Sequence, residues 1–179
     1  MKREIWRMGN PVLRATAEKF KIAVLNTPEF KGLLQDMFDS MKEYGGIGIA
    51  APQIGISKQV AIIEILGMNR YGQEINLPNT VFVNPEIEIL DQATQGFWEG
   101  CLSIPGMRGY VERPKHILVK YLNEKGEEQS LEAEGFLATV IQHELDHLFG
   151  TLYVDRISDP KLFMYQEEFE QYIQQPSID

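Results

Sequence analysis

The chain has 179 residues, of which 44% are hydrophobic, and this size and composition are typical of one globular domain with a substantial core. Its formal net charge of −9 argues against a protein whose main task is to bind nucleic acid phosphates, because such proteins carry a basic surface. No stretch approaches the roughly 18 unbroken apolar residues of a membrane helix, and the amino-terminal segment lacks the apolar core expected of a signal peptide.

The first clear helix signal covers residues 27–44. Thr27 can cap the amino terminus of this helix, and Pro28 fits its first turn. Two glycines at positions 45 and 46 predict the end of the helix. Apolar residues recur at three- and four-residue spacing and predict one buried face: Phe30, Leu33, Leu34, Met37, Met41 and Tyr44.

The segment GGIGIAAPQIG follows, at residues 45–55. Gly46, Gly48 and Ala51 satisfy a loose form of the dinucleotide-binding fingerprint. That motif requires a strand before the glycines and a helix after them. Here a predicted helix ends at the glycines and a predicted strand follows, so we predict that this segment does not bind a nucleotide phosphate.

Runs rich in β-branched and aromatic residues predict four strands, at residues 59–65, 80–90, 116–122 and 128–135. The sequence NEKG, between the last two runs, predicts a turn that joins them into a hairpin.

The remaining elements are a second helix over residues 136–148, a strand-like TLYV segment at 151–154 and a third helix over residues 161–174. This order lacks the regular alternation of a doubly wound sheet and predicts an α+β fold. We expect one domain over residues 1–179, with antiparallel or mixed sheets around a central metal-binding helix and with amino- and carboxy-terminal helices.

The sequence QHELDH lies in the second predicted helix and carries the strongest chemical signal. His143 and His147 are one helical turn apart, so both imidazoles project from the same face, with Glu144 beside them. Phe136 and Val140 belong to the same stripe, which is therefore expected to face inward. Two buried imidazoles need partners, and a metal ion supplies one for both.

A catalytic site of the zinc type has three protein ligands and one open position. From the residues alone, the third ligand could be His116, a carboxylate or Cys101. We favour Cys101, which lies in the segment FWEGCLSIPG, because a metal held by two histidines would also keep the thiol deprotonated. A single cysteine excludes an internal disulfide and fits the reducing cytoplasm, where we expect the protein to act.

Three segments together resemble the peptide deformylases, whose motifs read G-φ-G-x-A-A-x-Q, E-G-C-φ-S and Q-H-E-x-D-H, with φ an apolar residue. They match residues 46–53, 99–103 and 142–147 completely and in the family's order. The resemblance implies removal of the formyl group from N-formylmethionyl nascent chains, with release of formate. It also assigns the glycine-rich segment to one wall of the active-site cleft.

The resemblance further implies a role for each site residue. Cys101, His143 and His147 would bind the metal, and Glu144 would act as general base and then as general acid. The side chain of Gln53 and the backbone N–H of Leu102 would stabilise the oxyanion. Five residues are expected to contact the substrate: Ile47, Gly48, Arg108, Phe136 and Val140. Glu99 and Arg113 are expected to form an ion pair that steadies the loop carrying Cys101.

The chemistry of a cysteine and two histidines favours zinc or Fe(II). The resemblance implies Fe(II) as the native ion, with zinc, nickel or cobalt able to occupy the same ligands. The implied partners are N-formylmethionyl nascent peptides and, transiently, the ribosome, without direct binding to nucleic acid or a membrane. Residues 161–179 hold one basic and four acidic residues, so a basic tail that grips RNA is not expected. We expect apolar residues to pack this tail onto the domain instead: Phe163, Met164, Phe169, Tyr172 and Ile173.

Two other functions fit part of the pattern. An HExxH endopeptidase shares the helix, metal and base, but its third ligand commonly follows the helix, where Asp155 and Asp159 are the near candidates. A non-catalytic, metal-stabilised binding module would need a fourth protein ligand. There is no second cysteine, and His116 would serve only if the fold brought it close.

Overall fold

The computed structural model describes residues 2–69 and 71–174. Its helices are α1 (Pro28–Glu43), α2 (Gly135–Asp146) and α3 (Gln166–Tyr172). Its strands are β1 (Gly48–Ala50), β2 (Val60–Met68), β3 (Glu74–Cys101), β4 (Ile104–Leu122), β5 (Glu128–Glu134) and β6 (Phe163–Tyr165). Short 3-10 helices occupy Pro11–Arg14, Ile22–Val24, Ala51–Ile54, Tyr153–Arg156 and Pro160–Leu162.

The strands form one six-stranded sheet in the order β1-β2-β3-β4-β5, with β6 paired to β4. Every pair of neighbouring strands is antiparallel. The β4–β5 hairpin forms around the predicted turn, with Leu122 opposite Glu128. The expected α+β fold is therefore confirmed.

β3 and β4 are much longer than the sequence pattern predicted. Residues 74–83 of β3 pair with β2, and residues 83–101 pair with β4. Two residues after Cys101 connect β3 to β4. Polar residues, glycines and prolines interrupt the alternation in both strands. The ladder continues across them because its register shifts at several bulges, including one between Glu99 and Cys101. This extension carries Cys101 to its place opposite α2.

α1 agrees with its prediction at both ends. The Thr27 hydroxyl accepts a hydrogen bond from the backbone N–H of Phe30, at 3.2 Å. Gly45, just beyond the helix, has a φ of +69°, a conformation that favours glycine. At 16 residues α1 is the longest helix of the described ranges, and no helix there has the length and apolar composition needed to span a bilayer.

The two longer helices cover opposite faces of the sheet, and β2 shows why. Its alternate residues Ala61 and Ile63 belong to the core cluster beneath α2, whereas Val60 and Ile62 belong to the cluster beneath α1. A strand with period-two alternation and apolar residues on both faces is buried on both sides. α2 is consequently the enclosed helix, and nine of its twelve residues are buried.

The carboxy-terminal prediction was wrong in its first half. Residues 161–165 are not α-helical: Lys161 and Leu162 end a short 3-10 helix, and the apolar residues Phe163–Tyr165 form β6 on the exposed edge of β4. Only α3 forms within the predicted third helix. The TLYV segment is not a strand either: Tyr153–Arg156 is a 3-10 helix, whose start is fixed by a 2.7 Å hydrogen bond from the Leu152 N–H to Asp155.

Candidate metal centre and active-site cleft

A cleft of about 390 Å³ opens between β1, the β3–β4 connection and α2. All of the residues that the sequence singled out for the site line this cleft, except His147: Ile47, Gly48, Gln53, Cys101, Leu102, Arg108, Phe136, Val140, His143 and Glu144. His147 is buried behind them, with its Nε2 3.3 Å from the Cys101 Sγ. The fold thus brings three distant chain segments to one site.

Cys101, His143 and His147 form the metal-binding candidate of the described residues. Their ligand atoms all lie within 4.8 Å of one another. Both histidines come from the end of α2, where His147 keeps helical backbone angles although it follows the last helical residue. Their rings are 5.3 Å apart, centroid to centroid. Cys101 comes from the last position of β3.

A buried ion-pair network orients the first histidine. Nδ1 of His143 lies 2.7 Å from Oε2 of Glu99, so Nδ1 carries a proton and Nε2 is left to face the cysteine. Arg113 donates to both carboxylate oxygens of Glu99, at 2.6 and 2.9 Å, and to Asp146 at 2.7 Å. Asp146 also accepts from Arg156 at 2.6 Å. The predicted Glu99–Arg113 pair is confirmed, and it supports a histidine directly.

Glu99 stays ionised despite its burial. Burial by itself raises the pKa of a carboxyl group, but hydrogen bonds from Arg113 and His143 outweigh this effect and hold the pKa of Glu99 at about 2. A permanent negative charge at this position favours a proton on Nδ1 of His143 and makes its other nitrogen a better ligand.

The donor set fits a divalent metal ion. One thiol and two imidazole nitrogens are typical ligands of zinc and Fe(II). Burial lowers the pKa of His147 well below its usual value, so its ring is neutral and able to bind a metal. For His143, burial alone would lower the pKa, but hydrogen bonds to Cys101 and Glu99 outweigh this effect. The pKa of His143 is therefore raised well above its usual value. Metal binding at Nε2 must therefore release a proton.

Glu144 is buried in the cleft wall next to this group, at 6% exposure. Its Oε2 has no hydrogen-bond partner among the described residues. Burial raises the pKa of Glu144 to about 7, against a smaller lowering by the charge of His143. A carboxyl group with a pKa near neutrality can both accept and donate a proton at pH 7.

Gly48 makes room for that carboxylate. A Cβ at this position would lie 2.5 Å from both Cδ and Oε1 of Glu144, closer than real Cβ contacts allow. The sequence suggested that Gly48 admits the substrate backbone. The structure adds a second reason for a glycine here: a side chain at this position would collide with Glu144.

Gln53 is fully buried on the 3-10 helix that follows β1. Its Oε1 accepts from the Ala50 N–H at 2.8 Å, which fixes the orientation of the amide. Nε2 then faces the Sγ of Cys101, at 3.5 Å, and the hydroxyl of Ser103, at 3.2 Å. Leu102 lies across the cleft, in the connection between β3 and β4.

The predicted substrate residues differ in exposure. Ile47 is 41% exposed at the mouth of the cleft, whereas Phe136 and Val140 are buried along the same face of α2 as His143. Arg108 lies at the opposite side on β4 and is half-buried. A Cβ at Gly100 would overlap its guanidinium group, so the neighbouring glycine fixes where Arg108 can lie.

Comparisons with known proteins decide the family. The model of the polypeptide deformylase family matches residues 2–163. The chain belongs to the peptide deformylase family. The peptide deformylase of Leptospira biflexa serovar Patoc is 47% identical over 169 residues, which cover 94% of each chain. Peptide deformylase 1 of Bordetella pertussis is 43% identical over 163 residues, covering 91% of this chain and 92% of its own.

A solved structure agrees in fold. The class I type b peptide deformylase from Acinetobacter baumannii, with Met-Ala-Ser bound, superimposes with a TM-score of 0.83 at 38% identity. The match covers 88% of this chain and 99% of that one. As a peptide deformylase, the chain is a hydrolase that removes the N-formyl group from the formylmethionine of nascent polypeptides and releases formate.

Three ligand candidates named from the sequence lie outside the metal group of this deformylase. His116, on β4, bonds to Glu132 at 2.6 Å and lies 3.4 Å from Glu134. Asp155 pairs with Arg14, and Asp159 caps the short helix at Pro160–Leu162. Neither the endopeptidase pattern nor a closed four-ligand site is therefore formed by these residues.

Trp98, Thr139 and Gln166 are among the residues of the deformylase cleft that sequence reasoning missed. Thr139 lies between Phe136 and His143 on the helix stripe, so periodicity could have found it. Trp98 precedes the Cys101 motif without any spacing signal. Gln166 lay inside the predicted third helix, in the part that is helical, and the pairing of β6 with β4 just before it brings it to the cleft.

Proposed function

We propose that Cys101, His143 and His147 hold one divalent metal ion, with Fe(II) as the native ion and zinc, nickel or cobalt as substitutes. When bound, such an ion supplies Lewis-acid chemistry at the inner end of the cleft and lowers the pKa of water there. The observation that carries this proposal is the Glu144 carboxylate, buried beside the three ligands with one oxygen unpartnered.

Glu144 moves the proton. Its free Oε2 takes a proton from the attacking water, and the same carboxyl then delivers it to the amine that leaves as formate is released. The raised pKa supports both halves of this role, because the protonated and ionised forms are close in free energy near pH 7.

Gln53 and Leu102 stabilise the formyl oxygen as it gains negative charge. The Gln53 amide is held by Ala50, so Nε2 is already aimed at the metal group and needs no reorganisation during the reaction. The Leu102 backbone N–H supplies a second donor. Loss of one such donor typically costs about 2.7–4 kcal/mol of transition-state stabilisation.

The methionine side chain binds against α2. Phe136 and Val140 offer a buried apolar wall next to the ligands, and Ile47 closes the pocket from the mouth. Gly48 allows the peptide backbone to come close, and Arg108 steers the chain that follows. The Met-Ala-Ser peptide bound to the Acinetobacter enzyme supports a cleft that takes the methionine and the residues after it.

We also propose that residues 1–179 form a single metallohydrolase domain that acts in the cytoplasm on N-formylmethionyl nascent peptides. It associates with the ribosome transiently and binds neither nucleic acid directly nor a membrane. The net charge of −9 supports the absence of direct RNA binding, because a negatively charged protein is repelled by RNA phosphates. Three acidic residues on α3, Glu167, Glu168 and Glu170, argue against this helix as a basic element that docks on RNA.

The test is release of formate from formyl-Met-Ala-Ser by protein prepared anaerobically with Fe(II). Glu144→Gln keeps the shape of the side chain and removes the base, so formate release should fall by at least a hundredfold while the metal stays bound. An unformylated peptide run in parallel reports internal cleavage. Absence of formate from metallated wild type, or full activity in Glu144→Gln, would contradict the proposal.

A further inference from the structure

The carboxy-terminal strap, defined as β6 with α3, forms part of the cleft wall. β6 pairs with β4 so that Tyr165 lies opposite Met107. Phe169 of α3 is buried, and its ring lies 5.0 Å from the ring of Trp98, which itself lines the cleft. The family match ends at residue 163, so nearly all of the strap lies beyond the shared motifs.

Gln166, the first residue of α3, borders two cavities. It lines the active-site cleft, and together with Pro105 and Gly106 it also lines a second cavity that continues past Tyr165 and Glu167. These three shared residues mark the passage between the two spaces. A peptide that leaves the cleft on this side must pass the Gln166 side chain.

The orientation of the Gln166 amide follows from its neighbour. Nε2 donates to Oε1 of Glu170 at 2.6 Å. A carboxylate only accepts hydrogen bonds, so the nitrogen must face Glu170, and the amide oxygen is directed elsewhere. No residue of ranges 2–69 and 71–174 donates to this oxygen. Gln166 therefore presents a fixed hydrogen-bond acceptor at the passage.

We propose that Gln166 is a substrate-binding residue whose Oε1 accepts a backbone N–H of the peptide beyond its amino-terminal methionine. This inference rests on the proposed function, because it requires the cleft to hold a formylated peptide. Every residue except proline offers that N–H, so the contact does not depend on which side chain the peptide carries there. It requires only that the peptide be long enough to reach Gln166. Longer nascent chains gain from it, and a single formylated residue does not.

The test compares Gln166→Met with wild type on formyl-methionine methyl ester, which has no N–H beyond the methionine, and on amidated formyl-Met-Ala-Ser and longer peptides. Methionine keeps the size of the side chain and removes the acceptor. KM for the longer peptides should rise about two- to tenfold, the effect of one neutral hydrogen bond, with kcat and the single-residue substrate unchanged. Gln171→Met, at an exposed position of the same helix, is the matched control and should change nothing.

Peptides N-methylated at one successive position at a time identify the donor. Methylation of the N–H that Gln166 accepts should raise KM in wild type and have no added effect in Gln166→Met. Equal KM values for wild type and Gln166→Met on every peptide, or an equal rise for formyl-methionine methyl ester, would overturn the inference while leaving the deformylase activity intact. Absence of formate release from wild type would instead overturn the proposed function.

Discussion

Gly48 and Glu144 pack so closely that the Glu144 side chain can keep its position only because residue 48 is a glycine. The carboxyl group of Glu144 lies only 2.5 Å from the position that a Cβ of residue 48 would take. A glycine that sequence reasoning linked to the substrate thus also fixes the general-base candidate. The neighbouring Gln53 is fixed in the same way, by the N–H of Ala50.

Gly48→Ala should displace Glu144 without unfolding the protein, because the conflict is with the end of a side chain. Misplacement of a catalytic group by about 1 Å costs on the order of a hundredfold in rate, so kcat/KM for formate release should fall by about that factor. Gly32→Ala, on α1 with open space around its Cβ, is the control and should keep full activity. Unchanged kcat/KM in Gly48→Ala would show that Glu144 does not act from its observed position.

Glu99→Gln should weaken metal binding. The substitution removes the charge that holds the Nδ1 proton of His143 and breaks the paired contact with Arg113. Loss of such a supporting partner typically lowers metal affinity by about 10- to 100-fold, which competition with a chelator can measure. Glu132→Gln, which alters only the surface pair with His116, should leave the affinity unchanged. Equal affinities in the two variants would contradict this role for Glu99.

At the level of single residues, the sequence predicted which side chains lie together in the site. Spacing placed His143 and His147 on one face, the chemistry of a metal ligand set favoured Cys101, and motif resemblance added Gln53. The fold brings all four together. Trp98 and Gln166 could not be predicted, because they reach the cleft through strand pairing and a chain reversal that leave no periodic signal.

Among the elements, prediction succeeded where the local signal was complete. α1 has a capping threonine, a proline in its first turn and a glycine after its end, and its bounds agree with the pattern. β3 and β4 were predicted too short, because bulges let a ladder continue through polar and glycine-containing segments. The apolar run in β6 was assigned to a helix, since only tertiary contact with the β4 edge makes it a strand.

Thr27→Ala should destabilise the protein by about 1 kcal/mol, the usual contribution of a side-chain cap. Urea unfolding measures this as a lower midpoint with an unchanged slope. Thr27→Ser keeps the oxygen that accepts from the Phe30 N–H and should lose much less. If serine cost as much as alanine, the threonine methyl group and not the cap would be the stabilising feature.

Across the whole molecule, the metal site lies where the sheet meets the helix that the sheet encloses. Cys101 belongs to β3, and the histidines belong to the end of α2, so a bound ion joins the two layers. An ion that binds only the folded state stabilises it in proportion to the logarithm of its concentration over its dissociation constant.

Chelation should therefore lower the Tm of the metallated protein, and added metal should restore it. Differential scanning calorimetry with and without chelator measures the shift. Cys101→Ala removes one ligand while keeping a small side chain, so its Tm should respond much less to the same chelator. An equal response of the variant, or no shift in wild type, would contradict a metal bound by these three residues.

The site's three segments, around Gln53, Cys101 and His143, lie some 50 and 40 residues apart along the chain and meet only in the finished fold. A contiguous fragment that lacks any one of the three segments cannot form the site. Formate release is thus also a probe of cooperativity: during refolding, activity should return with the slowest structural phase, after the local signals of helix and hairpin formation. A simple enzymatic assay can in this way report when the sheet and its enclosed helix have joined.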